Sequence, residues 1–534
     1  WQDSALAEHF IALPGLSSVT LFDKPRQLPG FVSWHDFRMQ FPKDTVLVKS
    51  ISLGGRVTRR IETQILHHDG EDWYGYTYAW RDDGTDADLV PPDGGEKLFE
   101  VASHDRPDMK REQAWTFHSR TQCKSCHSAW SEYAMAFSLG QLNKSGPSPE
   151  GANQLIRLSQ EGYINRVDQN GKGLPPFDEK SAAGEVALVD PKNVSHPQDD
   201  KRKSDLLDQR SRSYLHTNCA HCHRFGGGGG AVVLELDFDK PLKQTGILDV
   251  RPKQGDFGIA DARIIAAGDP GRSVLLYRMA KFGRGRMPHL GSEWPDSTGV
   301  ELINEWICSL GNKPIVPAAK DATGSEAAFL ELGKALTIAR GMQFSLDQQS
   351  RELVLKSAAK LEPGPVRDLF EGYFPPDPKG RKLGSNPRPS AILALSGDTK
   401  RGEELFFSKD LKCSNCHKIG DKGVALGPEL TTIGKTRSRA ELLESLLQPS
   451  ARVEPQFAAY NVKTLDARTF TGLLIKRDEK QVVLKDGENK EITLTAAEVE
   501  SVTPSRLSLM PDGLLAALTP LEAANLLDYL VSRK

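Results

Sequence analysis

Six of the seven cysteines in this 534-residue chain fall into three Cys-x-x-Cys pairs, and a histidine follows each pair at once. The stretches are Cys123-Lys124-Ser125-Cys126-His127, Cys219-Ala220-His221-Cys222-His223 and Cys413-Ser414-Asn415-Cys416-His417. This pattern constrains the chain more than any other feature, because the spacing carries chemistry. Two thiols one turn apart add to the two vinyl groups of a single porphyrin, and the adjacent histidine reaches the iron from the same side. The sequence therefore predicts three covalently bound haem c groups. Cys123, Cys126, Cys219, Cys222, Cys413 and Cys416 would be the tethers, and His127, His223 and His417 the proximal iron ligands.

Two other uses of paired cysteines fit less well. Structural zinc usually takes four ligands, often from two pairs close in sequence, whereas these pairs start at 123, 219 and 413 and are odd in number. A thioredoxin-type motif belongs to one βαβ context, not three scattered ones. The seventh cysteine, Cys308, lies in the helical pattern Val300–Ile307 and reads as a buried, inert small hydrophobe. Haem attachment happens outside the cytoplasm in bacteria, so a periplasmic or other extracytoplasmic location is expected.

A formal net charge of −2 gives no basic excess, so a nucleic-acid partner is not expected. Short basic runs such as Lys201-Arg202-Lys203 read as solvated surface. No apolar run approaches the ~20 residues of a membrane helix, so no transmembrane segment is expected. The chain opens on Trp1 rather than Met. The expectation is a processed chain or a fragment, with a leader, and an upstream domain, beyond it.

Periodicity suggests an α+β multidomain protein. Residues 1–204 read as a β-rich region that carries the first haem segment. Strands are expected at Thr45–Ile51, Arg59–Leu66 and Trp73–Trp80, with a turn at Asp69-Gly70. Helical patterns near Ala152–Leu158 are expected to wrap that haem, and residues 176–204 read as a linker. Residues 205–315 read as a mainly α cytochrome c-like domain. Its run Gly226–Gly230 lacks the context of a nucleotide loop and reads as a flexible loop beside the haem. Residues 316–395 read as a helical and Pro-rich connector. Residues 396–534 read as a second mainly α cytochrome c-like domain, with Asp398 as a helix cap, a helix at Arg439–Leu447, a β insertion at about 456–505 and a final helix at Pro520–Val531.

An electron-transfer haem takes a second axial ligand, often Met, whose thioether raises the potential. Met287 in Gly285-Arg286-Met287-Pro288 and Met510 in Ser508-Leu509-Met510-Pro511 stand in loops before a last helix, and Pro holds each Met backbone extended. They are the expected sixth ligands of the second and third haems. For the first haem the candidates are Met109, Met135, His118, His67, His68 and Lys49, and the sequence does not choose among them. His216, three residues before Cys219, is either a helix-end side chain or an approach to a neighbouring haem.

The third unit closely resembles the planctomycete–verrucomicrobium type of haem-binding cytochrome domain. The matching residues are Gly402, Phe406, Cys413 to His417, Gly427-Pro428-Glu429-Leu430, Leu446, Gln448-Pro449-Ser450, Ser508-Leu509-Met510-Pro511 and Gly513. The resemblance implies His417/Met510 ligation and a β insertion. The second unit looks like a cytochrome c domain through Asn218 to His223, Gly268-Asp269-Pro270 and Arg286-Met287-Pro288. The first is similar to uncharacterised cytochromes with a lysine-bearing strand like Val46–Ile51 and a Tyr/Trp-rich strand. Members of that family can be joined to a pyrroloquinoline-quinone (PQQ) sugar dehydrogenase-like propeller, which is not present in this chain.

Three functions compete at this level. The first is an electron-relay module fed by redox partner proteins or an upstream dehydrogenase domain. The second is a haem enzyme whose open first iron reduces a small oxidant such as peroxide. The third is a docking or scaffold role for the aromatic N-terminal strands.

Overall fold

The computed structural model describes residues 3, 5–27, 36–53, 59–102, 110–144, 152–192, 200–229, 234–283, 285–311, 332–344, 346–362, 364–374, 382–384, 387, 389–393, 395–450, 453–466, 468–487, 489–505 and 507–534. Contacts divide the chain into two compact units, one of residues 1–95 and 99–374, the other of 96–98 and 375–534.

The first unit begins with a five-stranded antiparallel sheet in the order Leu6–Ala12, Val46–Leu53, Arg59–His68, Trp73–Trp80 and Ala87–Leu89. Its central hairpin turns where the Asp69 carboxylate accepts the backbone N–H groups of Glu71 and Asp72 at 2.8 and 2.9 Å. Gly70 supplies the positive φ of +107°. Register then decides which side chains share a face, because strand side chains alternate. Lys49 lies opposite Gln64 and Gln64 opposite Thr77, while Leu66 lies opposite Gly75 and Glu62 opposite Ala79. That face carries the first haem motif, and Tyr74, Tyr76, Tyr78 and Trp80 take the other.

Ile51, Leu53, Ile61, Val90, Phe99, Trp115 and Phe117 form the apolar core beside the sheet. A second core forms where Ile164–Val167 pairs in parallel with Val19–Gln27. The helix Gln154–Gln160 contributes Leu155 to that second core, so its apolar face is spent on strand packing. The polar stretch after 176 includes a short helix, Glu179–Ala183. It is tied back by Asn143 Nδ2 on Ala182 O at 2.9 Å and by a two-pronged Arg38–Glu185 pair at 2.6 and 3.0 Å.

From residue 200 the first unit becomes helical. The helices Asp200–Leu215, Val274–Ala280 and Ser297–Leu310 enclose a core that includes Tyr214, Leu276, Ile303 and Trp306. Trp306 keeps its indole N–H satisfied on Asp208 at 2.9 Å. The helices Leu332–Phe344 and Gln348–Ala358 add Ala335, Leu336, Met342 and Val354 to the same core. Pro375, Pro376 and Pro378 of the Pro-rich stretch lie outside the described residues.

In the second unit the helix Thr399–Phe406, capped by the Asp398 carboxylate on Lys400 N and Arg401 N, crosses the final helix Pro520–Val531. They meet at Gly402, where a Cβ would sit 2.0 Å from Asn525 O. Only glycine permits this backbone-to-backbone approach. Between the helix Arg439–Leu447 and residue 505 lies a second five-stranded antiparallel sheet over Ala459–Pro504. Its first and last strands pair, Tyr460 opposite Pro504, and Ser505 N donates to Ala459 O at 2.8 Å.

One ion pair inside the helical core is almost dry. Lys281 is 1% exposed; its ammonium faces Asp368 at 3.4 Å and donates to Phe282 O at 2.9 Å. Burial draws Lys281 down to about 8, with Asp368 opposing the fall. Between about pH 8 and the ordinary lysine range the unfolded chain therefore binds more protons than the folded one, and this group adds stability as pH rises. Asp368→Ala strands the ammonium and is expected to cost about 3 kcal/mol at pH 7. The loss should shrink at pH 9, where Lys281 is neutral in the fold. Denaturant titrations at both pH values check this, and an equal loss at each would show that Asp368 does not act by pairing.

Candidate functional site

The three motifs arrive on different supports and close the same turn. The first is the helix Arg120–Cys126, whose start is fixed by a reciprocal cap between Ser119 and Gln122. The second follows the long helix Asp200–Leu215 through a widened turn at His216–Ala220. The third is a single tight turn, Cys413–Asn415, entered by Lys412 at φ +56°. In each, the histidine N–H donates to the carbonyl of the first cysteine: His127 to Cys123 at 2.9 Å, His223 to Cys219 at 2.8 Å and His417 to Cys413 at 2.9 Å. That bond brings the two thiols and the imidazole of each motif around one compact loop.

The ring nitrogens are sorted for metal binding. His127 Nδ1 lies 2.6 Å from Tyr133 O, and His417 Nδ1 lies 2.8 Å from Pro428 O. With the Nδ1 proton given to a carbonyl, Nε2 is the free ligand atom. His223 Nδ1 is buried without a hydrogen-bond partner, and its ring sits where a Cβ on Gly229 would come within 2.7 Å. Gly427 plays the same part for His417, since a Cβ there would be 2.8 Å from the ring. Burial, the leading cause for each, lowers the pKa of all three imidazoles and keeps them neutral. Burial also pushes Cys219 up to about 12 and Cys123 and Cys413 up to about 11. Neutral imidazoles with Nε2 free, glycine cradles and paired thiols fit haem c.

The first and second motifs lie against each other. Cys126 Sγ is 3.9 Å from Cys222 Sγ, and His221 joins them in a cluster whose ligand atoms all fall within 4.8 Å of one another. The contact with Cys126 draws the Cys222 thiol down, helped by His221, while the Cys126 thiol is held above its ordinary value. Sequence reasoning gave no signal for this contact, because nothing in either motif points to a partner 96 residues away.

Met287 is held by a buried arginine that the sequence reading passed over. Arg286 is 5% exposed and donates to Pro288 O at 2.9 Å, Ser292 O at 2.7 Å, Ser292 Oγ at 2.8 Å and Trp294 O. Met287 N itself donates to Arg278 O at 2.9 Å. Met510 is half-buried and packs with Cys413 and Leu430 on the core of the second unit. Its loop is pinned by Met510 N on Ser508 Oγ and Ser508 N on Ser450 Oγ, each 3.1 Å.

Of the candidates for the first iron, two are engaged elsewhere. His67 faces Asp44 at 3.4 Å, and His68 lies 3.2 Å from Pro42 O and 4.8 Å from the Trp73 ring. Met135 is half-buried, and Met109 lies outside the described residues. Lys49 acts electrostatically on His127 of the motif, and on His118 as well. Beside them is Glu62, fully buried, accepting from Trp115 Nε1 at 2.8 Å and Gln64 Nε2 at 2.9 Å. Burial raises its pKa. Sequence reasoning missed Glu62 because a bulge in the pairing falls at its neighbour Ile61, which is equally buried, and this hides the alternation. His216 is occupied as well: its Nδ1 accepts from Phe238 N at 3.2 Å. Cys308 lies in the apolar core at 3% exposure.

Comparison with known proteins agrees with the third motif. Residues 399–534 match the family model for cytochrome c. The chain is also 32% identical over 72 residues to a cytochrome c-553-like protein of Synechocystis sp.. That stretch is 14% of this chain and 65% of the relative, so the chain spans just under two thirds of the curated protein it matches. Among the described residues no helix is long and apolar enough to cross a membrane. Taken with the paired thiols and the proximal histidine, these matches make residues 399–534 a cytochrome c domain and support a c-type cytochrome with covalently bound haem and a role in electron transfer.

Proposed function

We propose that this protein is a trihaem c-type cytochrome that relays electrons, built as a β-rich haem-bearing region (1–204), a cytochrome c-like domain (205–315), a connector (316–395) and a second cytochrome c-like domain with a β insertion (396–534). The observation that carries the reading is the repeated turn: three motifs on three unrelated supports close the same histidine-to-cysteine hydrogen bond within 0.1 Å of one another. Bound haem c supplies a one-electron iron couple. The chain's own residues do the rest. Cys123 and Cys126, Cys219 and Cys222, and Cys413 and Cys416 would tether the haem groups, and His127, His223 and His417 would hold their irons. Met287 and Met510 would supply second ligands to two of them, and a thioether ligand raises the potential. Lys49, on the strand face that carries the first motif, is the sixth ligand we favour for the first iron, which would make it a six-coordinate relay site rather than an open one. A high-spin ferric signal that responds to cyanide would instead favour the peroxide-reducing reading.

The donor is proposed to be a dehydrogenase, as a partner or an adjoining domain, of the PQQ-dependent sugar-oxidising kind that the N-terminal resemblance suggests. An extracytoplasmic location follows from where haem c is attached. Intact mass of matured protein should exceed the bare chain by three haem groups, and a product without added porphyrin removes the reading.

Arg286 generates a sharper test. Arg286→Ala frees four acceptors that now hold the Met287 loop. The expected result is unchanged haem mass with the sulfur-to-iron absorbance of one haem lost. One midpoint potential should also fall, within the roughly 0.8 V range that axial ligands command. Met510→Ala should do the same to a different haem. An unaltered spectrum in Met510→Ala shows that Met510 is not a ligand, and one in Arg286→Ala shows that Arg286 does not position Met287.

A further inference from the structure

The contact between the first two motifs goes beyond a count of haem sites. Cys126 and Cys222 are each the second cysteine of a motif, and their sulfurs are 3.9 Å apart. The backbones around them are equally close: a Cβ on Gly228, in the loop after the second motif, would lie 3.1 Å from Ser125 O, inside the first. The Gly run is thus a close-packing surface, held by Gly229 N on Cys222 O at 2.9 Å. His221 fills the remaining side of the cluster. The first motif sits on the face of the sheet that Gly75 leaves open, where a Cβ on Gly75 would come within 3.0 Å of Cys123 Cβ. The second is carried by the helical core, with Cys219 packed on it. Two separately built supports therefore deliver equivalent atoms of two attachment sites to one point.

We propose that Cys126 and Cys222 hold the first and second haem groups edge to edge as a single coupled pair. The inference rests on the trihaem reading and adds a property that three independent haems would lack. A thioether sulfur is bonded through one carbon to the rim of its porphyrin, so sulfurs in van der Waals contact fix the two rims side by side. Each iron takes one electron, so the pair takes two, and the negative charge added by the first disfavours the second through a low-dielectric contact. The second electron is expected to bind about tenfold more weakly than it would to an isolated haem, a separation of about 59 mV for a one-electron couple. Gly228, Gly229 and His221 act as positioning residues for this geometry.

The test uses the mature full-length holoprotein. Peptide mapping first establishes haem on both the Cys123–Cys126 and the Cys219–Cys222 peptides. Circular dichroism in the Soret region is then followed through a dithionite titration. Coupling predicts a two-signed Soret signal that collapses between the first and second electrons taken up by the pair. It also predicts that Gly228→Val, which pushes the motifs apart, weakens the signal while leaving haem mass and the third haem's potential unchanged. If Gly228→Val does not fold, the titration of the unaltered protein decides alone. Haem on both peptides with three independent one-electron waves and no two-signed signal overturns the pairing and leaves the trihaem reading standing. Free thiols at Cys126 and Cys222 with a bound zinc ion overturn both.

Discussion

The hydrogen bond from each motif histidine to the carbonyl four residues earlier is the constraint on which the structure depends. It is short-range, so any support that can present five residues in a tight turn can host it. A capped helix, the end of a long helix and an isolated turn all do so here. What the supports must add is dryness. A buried neutral imidazole and half-buried thiols need surroundings that offer few competing charges. The first motif reaches this by lying on a face of the sheet, and the second and third by being backed with helical cores.

Buried cations do much of the remaining positioning. Arg286 gathers carbonyls around the Met287 loop. In the second unit Arg439 binds the Asp528 carboxylate at 2.7 Å and Leu395 O at 2.5 Å, tying the start of one helix to the last helix. Lys281 and Asp368 fasten the helix Val274–Ala280 to the segment after 364. Arg286 and Arg439 each satisfy more than one carbonyl that water would otherwise have to reach, and Lys281 satisfies the carbonyl of Phe282 beside its carboxylate partner. Loops without regular hydrogen bonding thereby become stiff enough to carry a ligand.

Much of this was legible in the residues. The hairpin around Asp69-Gly70, the cap at Asp398, the helix Arg439–Leu447 and the final helix Pro520–Val531 follow from local pattern, and local pattern is what sequence reports best. The motif cysteines and histidines carry their chemistry in their spacing. Long-range facts were not legible. The approach of Cys126 to Cys222, the burial of Glu62 beside the first motif and the packing of Leu332–Phe344 into the preceding core all depend on how separate elements meet. Glu62 and Ile61 are adjacent and both buried, which defeats a two-residue period. Arg286 looked like a loop residue because its four acceptors lie in a segment with no periodicity at all.

The second sheet returns almost to where it leaves. Tyr460 pairs with Pro504, and Ser505 bonds back to Ala459, so forty-odd residues enter and exit through neighbouring positions. The Ser450–Ser508 clasp beyond them already sets the height of the Met510 loop. Outward of that clasp the sheet closes on itself, yet its Asp486-Gly487 turn folds back until the Gly487 carbonyl lies 3.8 Å from Cys416 Sγ. A change in the insertion is therefore felt at the third motif through that turn as well as through the clasp.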